Sequence, residues 1–306
     1  MGHVTPPPVA SRRHDWVTQI IDPGAIVPKS LIVLTLLAGF GLLPAAESRP
    51  LKILLLTGGC CHDYKAQKDV LKSGLESRLL CSVTQIHAEQ TTAKPELAIY
   101  GQPDYATGFD VVIHDECAAG QSNAKLIQGV LKPHQDGIPG VNLHCAMHSY
   151  RHGDYRSVTA GTPSAAWFEY LGLQSTGHGP QSPIVISYVD RDSPIVKGMS
   201  DWTTINEELY NNVQTFGAHV LARGAQKQKL KNKETGVESE VDASAVVTWT
   251  NLYGDKKTRV FSTTIGHNTK TVADPRYLDL VARGVLWATN HLADDGTPAP
   301  GYGRQP

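Results

Sequence analysis

The sequence has almost no net charge, and no basic stripe or acidic tail stands out. Its 28 lysine and arginine residues are balanced by 29 acidic residues, so the formal net charge is −1. A protein that binds nucleic acid normally carries a basic patch, because it must neutralise phosphates. We therefore expect no nucleic-acid partner.

No apolar run is comfortably long enough to cross a membrane as a helix, which takes about 20 residues. The apolar stretch at residues 31–43 follows Lys29 and precedes the small residues Ala45 and Ala46, which is the layout of a secretory signal peptide. No cysteine lies near the cleavage region, which excludes a lipoprotein anchor. We expect residues 1–46 to be an N-terminal extension and signal peptide, and the protein to be periplasmic or secreted with no stable membrane span. A short membrane anchor or a buried helix is the alternative.

Cysteines are few, and none has the paired spacing of a zinc ribbon. An exported protein can form disulfides, but an odd number of cysteines leaves at least one thiol free or paired between chains. The alternative is that they are buried as small hydrophobic residues. The five cysteines are Cys60, Cys61, Cys81, Cys117 and Cys145.

The sequence does contain a regular alternation of short apolar runs and amphipathic segments. The run LKILLLTGG is typical of a strand buried on both faces, and Leu71, Leu75 and Leu79 follow it at helical spacing. SVTQIHA, FDVVIHDE and IPGVNLHCA are further candidate strands, with the helix AKLIQGVLKPH before the last. This order predicts an α/β fold with a flavodoxin-like, doubly wound, mostly parallel sheet. We expect one domain over residues 47–295 and a flexible, glycine- and proline-rich tail over residues 296–306.

The second half of the chain mixes strands and helices. SPIVISYV, SAVVTWTNLY and TRVFSTTIG have the pattern of strands, and QKQKLKNKETGVESEV has that of a solvated hairpin or loop. TPSAAWFEYLG predicts a helix that ends at Gly172. Asp274 can cap the last helix, and Pro275 fits its first position.

Titratable residues follow four of the apolar runs, at the point where each strand is expected to end. In a parallel α/β sheet, ligands bind beyond the carboxyl ends of the strands. A single buried histidine is most often a packed core residue, but four such strand ends predict a cleft. The residues at these ends are His62 and Asp63, then His114, Asp115 and Glu116, then His144, Cys145 and His148, and last His267 and Asn268.

Three kinds of chemistry fit these residue types. Cys145 beside a histidine could be an activated thiolate. His144 and His148, four residues apart, could bind a divalent metal such as zinc, with His114, Asp115, Glu116 or His62 as a further ligand. Acid–base catalysis would need no cofactor. Because the zinc-protease glutamate and the glycines of a nucleophile elbow are both missing, we favour acid–base chemistry without a cofactor, with His144 as the central residue and Cys145 turned away.

A set of motifs occurs in a fixed order over residues 51–292: GFDVVIHDE, NLHCAMHSYR, STGHGP and EELYNN, and then VVTWTNLYGDKKTRVFSTTIGHN followed by YLDLVARGVLWA. Together they resemble the motifs of ThuA-like (trehalose-utilisation) proteins, and the last two resemble the C-terminal block of that family. The resemblance implies a fold similar to class I glutamine amidotransferases. It places His144 where those enzymes have the nucleophile and His267 where they have the catalytic histidine. Because Cys145 is one residue too late, glutamine hydrolysis is not expected.

The resemblance also implies a role in carbohydrate metabolism, with trehalose, a related disaccharide or a keto-sugar as the small carbohydrate partner. We expect an enzyme; the alternatives are a metal-dependent sugar hydrolase or isomerase, and a non-catalytic periplasmic carbohydrate-binding protein. The oligomeric state stays open. Trp202, Tyr210 and Trp249 could stack on a sugar ring or pack in the core. The expected catalytic residues are His144, His267, Asp115, Glu116 and Cys145, the expected substrate-binding residues are His62, Asp63, Tyr64, His178, Glu208, Asn211, Asn212 and Asn268, and Glu207 is a secondary candidate.

Overall fold

The computed structural model describes residues 48–231 and 234–304. The predicted N-terminal extension and signal peptide, residues 1–46, lies outside the described residues. Within those two ranges, no helix is both long and apolar enough to cross a membrane.

The first half of the chain alternates strands with helices, which confirms the predicted order. It contains, in sequence, β1 (Leu51–Gly59), α1 (Tyr64–Glu76), β2 (Cys81–Ala88), β3 (Val111–Cys117), α2 (Ala124–Gln135), β4 (Gly140–Leu143), a 3-10 helix (His144–His148) and α3 (Ala166–Leu171).

The second half of the chain is mostly strand and ends with two helices. It contains β5 (Leu173–Gln174), β6 (His178–Tyr188), β7 (Trp202–Tyr210), β8 (Gln214–Thr215), β9 (His219–Lys231), β10 (Glu238–Tyr253), β11 (Thr258–Thr263), α4 (Thr269–Val272) and α5 (Pro275–Ala288).

Nine strands form a mixed sheet in the order β2-β1-β3-β4-β11-β10-β9-β6-β7. The first five strands in this order are parallel and form the doubly wound half that the sequence predicts. From β10 onward, every neighbouring pair is antiparallel. β5 and β8 form a separate two-stranded sheet. The α/β prediction is confirmed, and the antiparallel half extends it.

Alternate residues of β1 enter two different hydrophobic cores, one on each face of the sheet. Leu51, Ile53 and Leu55 belong to the core that includes α1 and α5, whereas Leu54 and Leu56 belong to the core that includes α2 and α3. Strand side chains alternate between faces, so a continuous apolar run is fully buried only when helices cover both faces. The two cores therefore hold the parallel strands firmly and present their carboxyl ends along one edge.

The predicted end of α3 and start of α5 are confirmed, whereas α3 begins at Ala166, four residues later than the predicted TPSAAWFEYLG segment. α3 ends at Gly172, whose φ of 85° lies in the left-handed region that glycine adopts without strain. α5 begins with Pro275, and the Asp274 side chain accepts a hydrogen bond from the Arg276 backbone amide. The helix α5 packs against β4 and β11.

The charged stretch in the second half forms a paired ribbon. β9 and β10 pair antiparallel over most of their length, as expected for a hairpin, and residues 232 and 233 lie outside the described residues. Lys227 and Glu240 lie 2.9 Å apart across the ribbon, and both are exposed. Because such an exposed ion pair contributes at most about 1 kcal/mol, the backbone ladder is what holds the two strands together.

The C-terminal segment packs on the domain instead of forming the predicted flexible tail. The Leu80 backbone amide donates to the Tyr302 carbonyl at 2.8 Å, and the Arg304 amide donates to the Arg78 carbonyl at 2.9 Å. The Tyr302 ring lies 3.8 Å from the His291 ring, between centroids. A glycine- and proline-rich composition predicts flexibility, but these backbone bonds and the ring contact order the segment through residue 304.

Candidate functional site

Three histidines from three different strand ends meet at the carboxyl edge of the parallel strands. His62 follows β1, His144 follows β4 and His267 follows β11. One ligand nitrogen of each lies within 4.8 Å of the others. The His62 ring is 4.6 Å from the His144 ring and 4.8 Å from the His267 ring, between centroids. We call these three residues the histidine cluster.

His144 occupies a sharp turn from strand to helix. Its φ of 41° lies in the left-handed region, which is unusual for a residue other than glycine. From this turn, Nδ1 donates a hydrogen bond to the Thr264 carbonyl at 2.6 Å. In the neutral ring, Nε2 therefore carries the lone pair. This nitrogen faces the Tyr210 hydroxyl at 3.3 Å.

Glu208, on β7, is the anionic partner of the cluster. Its carboxylate lies 3.6 Å from His144 Nε2, 3.4 Å from His267 Nδ1 and 3.7 Å from His178 Nε2. Burial by itself would raise the pKa of Glu208, but its contacts with His144 and His267 outweigh burial and lower the pKa well below the usual range. The same contact with Glu208 raises the pKa of His267.

His62 differs from the other two histidines in its electrostatics. Burial, together with the nearby rings of His144 and His267, lowers the pKa of His62 to about 3. The ring is therefore neutral at physiological pH. Its Nδ1 is buried and has no hydrogen-bond partner among the described residues. A neutral imidazole with an unengaged nitrogen is well suited to bind a metal ion.

Glu207 holds the loop that carries His267. Its buried side chain accepts hydrogen bonds from the backbone amides of Gly266, His267 and Asn268, at 3.2, 2.8 and 3.0 Å. The Gln67 side chain on α1 donates to the carbonyls of Gly266 and His267. Adjacent residues of a strand point in opposite directions. Glu207 therefore holds the loop, and Glu208, the next residue on β7, points the other way and contacts the histidine rings.

A cavity opens beside the histidine cluster. Its volume is about 420 Å³, which is enough for a small ligand. Two rings of the cluster form part of its wall, so a ligand in the cavity would contact them directly. The lining residues are Cys61, His62, Asp63, Thr91, His267, Asn268 and Thr269.

The arrangement fits two kinds of chemistry. Three histidine nitrogens around one point, with an open side toward a cavity, are the donor set of a catalytic divalent-metal site. Alternatively, Glu208 with His267, and Tyr210 with His144, supply a proton acceptor and a proton donor, and His267 lines the cavity. Both chemistries use the same few side chains.

His114 and Glu116 lie away from the cluster, in a buried network on the α2 and α3 side of the sheet. His134 Nδ1 donates to the Ile138 carbonyl at 2.8 Å, and its Nε2 lies 3.0 Å from His114 Nε2. His114 Nδ1 lies 2.8 Å from Glu116, to which the Tyr150 hydroxyl also donates at 2.7 Å. The prediction that His114 and Glu116 line the cleft, with His114 as an alternative metal ligand, is corrected, because both residues belong to β3 and face its helix-covered side.

Asp115 and Cys145 are also separate from the histidine cluster. Asp115 is buried beside Thr57, whose hydroxyl donates to it at 3.4 Å. Burial, and then the charge of Glu116, raises the pKa of Asp115. Cys145 forms a disulfide with Cys117. The predicted catalytic roles of Asp115 and Cys145 have no support in this geometry.

Three other predicted residues lie near the cavity. The side chains of Asp63 and Asn268 cap the N-termini of α1 and α4, and both residues line the cavity. Tyr64 is buried, with its ring 5.4 Å from the His62 ring. Asp63 and Asn268 are therefore placed to contact a ligand, whereas Tyr64 packs behind the cluster.

His148 and His178 lie on the Tyr210 side of the site. His148 stacks on the Tyr210 ring at 4.0 Å, between centroids, and its Nε2 lies 2.9 Å from the Ser175 hydroxyl. It therefore supports Tyr210 and is not grouped with the cluster nitrogens, contrary to its predicted role as an alternative ligand. His178 is exposed and lies beside Glu208.

Asn211 and Asn212 tie backbone segments together. Asn211 Oδ1 accepts hydrogen bonds from the amides of Thr176 and Gly177, at 2.8 and 3.1 Å. Asn212 Oδ1 accepts one from the Val246 amide at 2.6 Å. These oxygens already have partners, and the two asparagines line a different cavity from the one beside the histidine cluster, so neither is placed to contact a ligand there.

Two of the three aromatic candidates pack within the domain. Trp249 Nε1 donates to the Leu171 carbonyl at 2.7 Å, and the Arg276 guanidinium lies 4.4 Å from the Trp202 ring centroid. Tyr210 does reach the histidine cluster, through its hydroxyl group. Its ring is already stacked on a histidine.

Sequence reasoning misses three contributions to the site: the Thr264 carbonyl, the Gln67 side chain and the central position of Glu208. The first two act through the backbone of a loop, which leaves no motif. The third depends on β7, which the sequence analysis does not identify as a strand. The β-branched run at residues 203–205 is the signal that favours one.

Comparisons with known proteins agree with this fold. A family model described as ThuA, trehalose utilisation, matches residues 52–288. Among solved structures, a protein described as ThuA-like from Parabacteroides merdae has a TM-score of 0.56 at 17% identity, covering 84% of this chain and 98% of that one. Another from Bacteroides uniformis has a TM-score of 0.50 at 15% identity, covering 80% and 95%. A Thermoplasma acidophilum protein described as part of a GMP synthase has a TM-score of 0.40 at 11% identity, covering 79% and 96%.

No curated protein sequence matches the chain. The family model, however, spans the sheet from β1 through β11 and the helix α5 that covers it. It thus includes every member of the histidine cluster and Glu208. The chain belongs to the ThuA family, whose description, trehalose utilisation, assigns it to carbohydrate metabolism at the level of the family.

Proposed function

We propose that this protein is an exported enzyme that acts on a small carbohydrate, and that the histidine cluster binds a divalent metal ion at its active site. The observation that carries the proposal is the convergence of one nitrogen each from His62, His144 and His267 within 4.8 Å. The carboxylate of Glu208 lies beside them, and His62 and His267 line the cavity of about 420 Å³.

The chain supplies these nitrogens in a form that suits a metal ion. Because Nδ1 of His144 donates to the Thr264 carbonyl, Nε2 is the nitrogen that the neutral ring would offer to a metal ion. His62 is neutral because its pKa is lowered to about 3. Catalytic zinc sites commonly use three protein ligands and leave a position open. A bound ion would polarise a carbonyl or hydroxyl oxygen of the sugar, or a water molecule.

Two further contacts support the same interpretation. Histidines that bind metals usually donate their second ring N–H to a carboxylate or a carbonyl, which fixes the orientation of the ring. The Thr264 carbonyl does this for His144, and Glu208 lies 3.4 Å from Nδ1 of His267. These partners would hold the rings in place while the substrate exchanges.

A small carbohydrate fits the family and the character of the cavity. The family description, trehalose utilisation, supports trehalose, a related disaccharide or a keto derivative. The cavity wall offers hydrogen-bonding groups at Asp63, Thr91 and Asn268, which suit the hydroxyl groups of a sugar. Export is supported by the lysine, apolar stretch and small residues within residues 29–46.

Acid–base catalysis without a metal is a second candidate. It is favoured by the contacts of Glu208 with His144, His178 and His267, which raise the pKa of His267 and lower that of Glu208. In this scheme His267 donates a proton to the sugar oxygen, and Glu208 stabilises the charged ring.

The test combines metal analysis with a substrate screen. Purified protein is expected to contain about one divalent ion per chain, measured by inductively coupled plasma mass spectrometry, and His267→Ala is expected to lose it. Disaccharides and their keto derivatives are screened for turnover with and without a chelator. The control is His219→Ala, because His219 is exposed and pairs with Asp190 outside the cluster.

The outcomes separate the candidates. Turnover that a chelator abolishes and a divalent ion restores supports the metal site. Turnover that survives chelation but is lost in Glu208→Gln favours acid–base catalysis without metal. Sugar binding without turnover of any compound in the screen argues against an enzyme and favours a carbohydrate-binding protein.

A further inference from the structure

Four of the five cysteines lie close together at the carboxyl ends of β1, β3 and β4. Cys60 and Cys61 follow β1 and form one disulfide, and Cys117 at the end of β3 forms the other with Cys145. The Cα atoms of the second pair are 5.1 Å apart, within the usual range for a disulfide. All five cysteines lie in the described residues, and Cys81 is free.

The two disulfides differ in their access to solvent. Cys61 is exposed and Cys60 is half-buried. Cys117 and Cys145 are 3% and 6% exposed. A reductant in solution can therefore attack the first pair directly, but the second pair is shielded by the protein.

The two disulfides are also in contact. Cys60 Sγ lies 3.6 Å from Cys117 Sγ, and the sulfurs of Cys60, Cys61 and Cys117 all lie within 4.8 Å of one another. Thiol–disulfide exchange needs a thiolate within reach of a disulfide sulfur. The sulfur of Cys60 lies within reach of the Cys117–Cys145 disulfide. Its own disulfide partner, Cys61, is exposed to solvent.

We propose that these four cysteines form a relay that carries reducing equivalents from an external dithiol to the buried Cys117–Cys145 disulfide. The dithiol first reduces Cys60–Cys61 to two thiols and is itself oxidised to a disulfide. The Cys60 thiolate then attacks Cys117 Sγ, which breaks the buried disulfide and releases Cys145, which takes up a proton. Cys61 next attacks Cys60 Sγ, which restores Cys60–Cys61 and releases Cys117 as the second thiol. One dithiol is consumed for each buried disulfide that is reduced.

The position of the relay gives it a direct connection to the candidate site. Cys61 precedes His62 in the chain, and Cys145 follows His144. Both Cys61 and His144 have positive φ values, 83° and 41°, which are unusual for residues other than glycine. Each disulfide is therefore attached to a backbone segment that carries a cluster histidine.

A single substitution tests the exchange step without measuring activity. In a Cys81→Ala background, Cys61→Ser leaves Cys60 as a thiol beside the buried disulfide. After oxidation with glutathione disulfide and rapid alkylation, peptide mass mapping is expected to find a Cys60–Cys117 disulfide and an alkylated Cys145 in a substantial fraction of chains. An alkylated Cys60 with an intact Cys117–Cys145 disulfide would overturn the relay.

The rate at which the Cys117–Cys145 disulfide is reduced tests whether the exposed Cys60–Cys61 pair is needed. The Cys60→Ser, Cys61→Ser double variant removes the entry point and leaves the buried disulfide in place. With dithiothreitol, that disulfide is expected to be reduced on the order of tenfold more slowly than in the parent, because the reductant must reach it directly. If the buried disulfide were reduced at the same rate in the double variant and the parent, the proposal would be wrong. It would also be wrong if the parent protein had five free thiols after oxidation. Cys81→Ala alone, outside the four, should match the parent.

Discussion

At the scale of single residues, two neighbouring glutamates on β7 show how position determines the role of a side chain. Glu207 is fully buried and accepts three backbone amides of the loop that carries His267. Glu208 lies within 4 Å of three histidine rings. The two have the same chemistry, but the alternation of a strand turns one toward the loop and the other toward the rings.

We predict that Glu207→Gln destabilises the protein by about 2–4 kcal/mol. The glutamine amide replaces one acceptor oxygen with a donor, so in either orientation of the side-chain amide at least one of the backbone amides of Gly266, His267 and Asn268 loses its partner. The measurement is urea denaturation followed by circular dichroism. Turnover should also fall, because the loop that carries His267 loses its anchor.

A matched control separates this effect from the simple loss of a charge. Glu240 is exposed and pairs with Lys227, so Glu240→Gln should change the free energy of unfolding by less than about 1 kcal/mol. If Glu207→Gln were as stable as this control, the anchoring role of Glu207 would be ruled out.

At the scale of secondary-structure elements, β3 explains why adjacent titratable residues do not share a site. His114 and Glu116 face the core of α2 and α3, and Asp115 lies between them and faces the other way. A strand has a period of two residues, so neighbours in the sequence are separated by the sheet itself. Titratable residues gather instead where strands end, as the histidine cluster does.

The contact between α5 and β11 is close enough to require glycine. A Cβ atom at Gly284 would lie 2.5 Å from the Phe261 ring, which is below any normal contact. Gly284→Ala is therefore expected to destabilise the protein by about 1–3 kcal/mol through overpacking. Thermal and urea denaturation would measure this.

Gly129 is the matched control for this substitution. It also lies within a helix, α2, but a Cβ atom there would have nothing within 4 Å. Gly129→Ala should leave the protein unchanged or stabilise it by up to about 1 kcal/mol, because alanine favours a helix. The same sign for both substitutions would argue against the packing explanation.

At the scale of the whole molecule, the antiparallel half of the sheet completes the candidate site. β7 is the last strand in the sheet order, at the opposite edge from β2. Its residues Glu208 and Tyr210 nevertheless lie within 4 Å of His144, which follows β4. The sheet must therefore curve strongly to return its far edge to the parallel strands, in keeping with the twist of large sheets.

The buried histidine His134 should make the stability of the whole molecule depend on pH. Burial and the nearby His114 ring lower the pKa of His134 to about 3 in the folded protein, from an ordinary value of 6.5. Between these values the unfolded chain binds a proton that the folded protein does not. Stability should therefore fall as the pH falls below 6.5, with a contribution from this residue of up to about 1.4 kcal/mol per pH unit.

The variant His134→Asn isolates that contribution. Its amide can still donate to the Ile138 carbonyl, which His134 contacts at 2.8 Å, but it does not titrate. Urea denaturation between pH 4 and pH 7 should give a smaller slope of stability against pH in this variant than in the parent. Identical slopes would mean that folding does not lower the pKa of His134.

Much of the fold can be predicted from local patterns. The apolar run of β1, the helical spacing of Leu71 and Leu75, and the end signals at Gly172 and Pro275 all identify their elements correctly. Each is a short-range property of the chain. β7 escapes prediction because its pattern is irregular, with buried residues on both sides of the strand at residues 207–210.

The candidate site is only partly predictable. His62, His144 and His267 follow strand ends, and the parallel sheet brings such ends together, so the sequence indicates their proximity. His114 and His148 have similar surroundings in the sequence, but they are directed into a buried network and onto the Tyr210 ring. No feature of the neighbouring sequence distinguishes these two histidines from the three of the histidine cluster.

The sequence by itself determined the α/β class, the order of the first strands and helices, and which strand ends carry histidines, because these depend on hydrophobic periodicity and on capping residues close together in the chain. Only the tertiary structure decided that Glu208 reaches the histidine cluster and that Cys60 lies against Cys117, 57 residues further along. These contacts depend on the curvature of the sheet and on the packing of both its faces. Contributions of that kind are summed over the whole molecule and have no local signature.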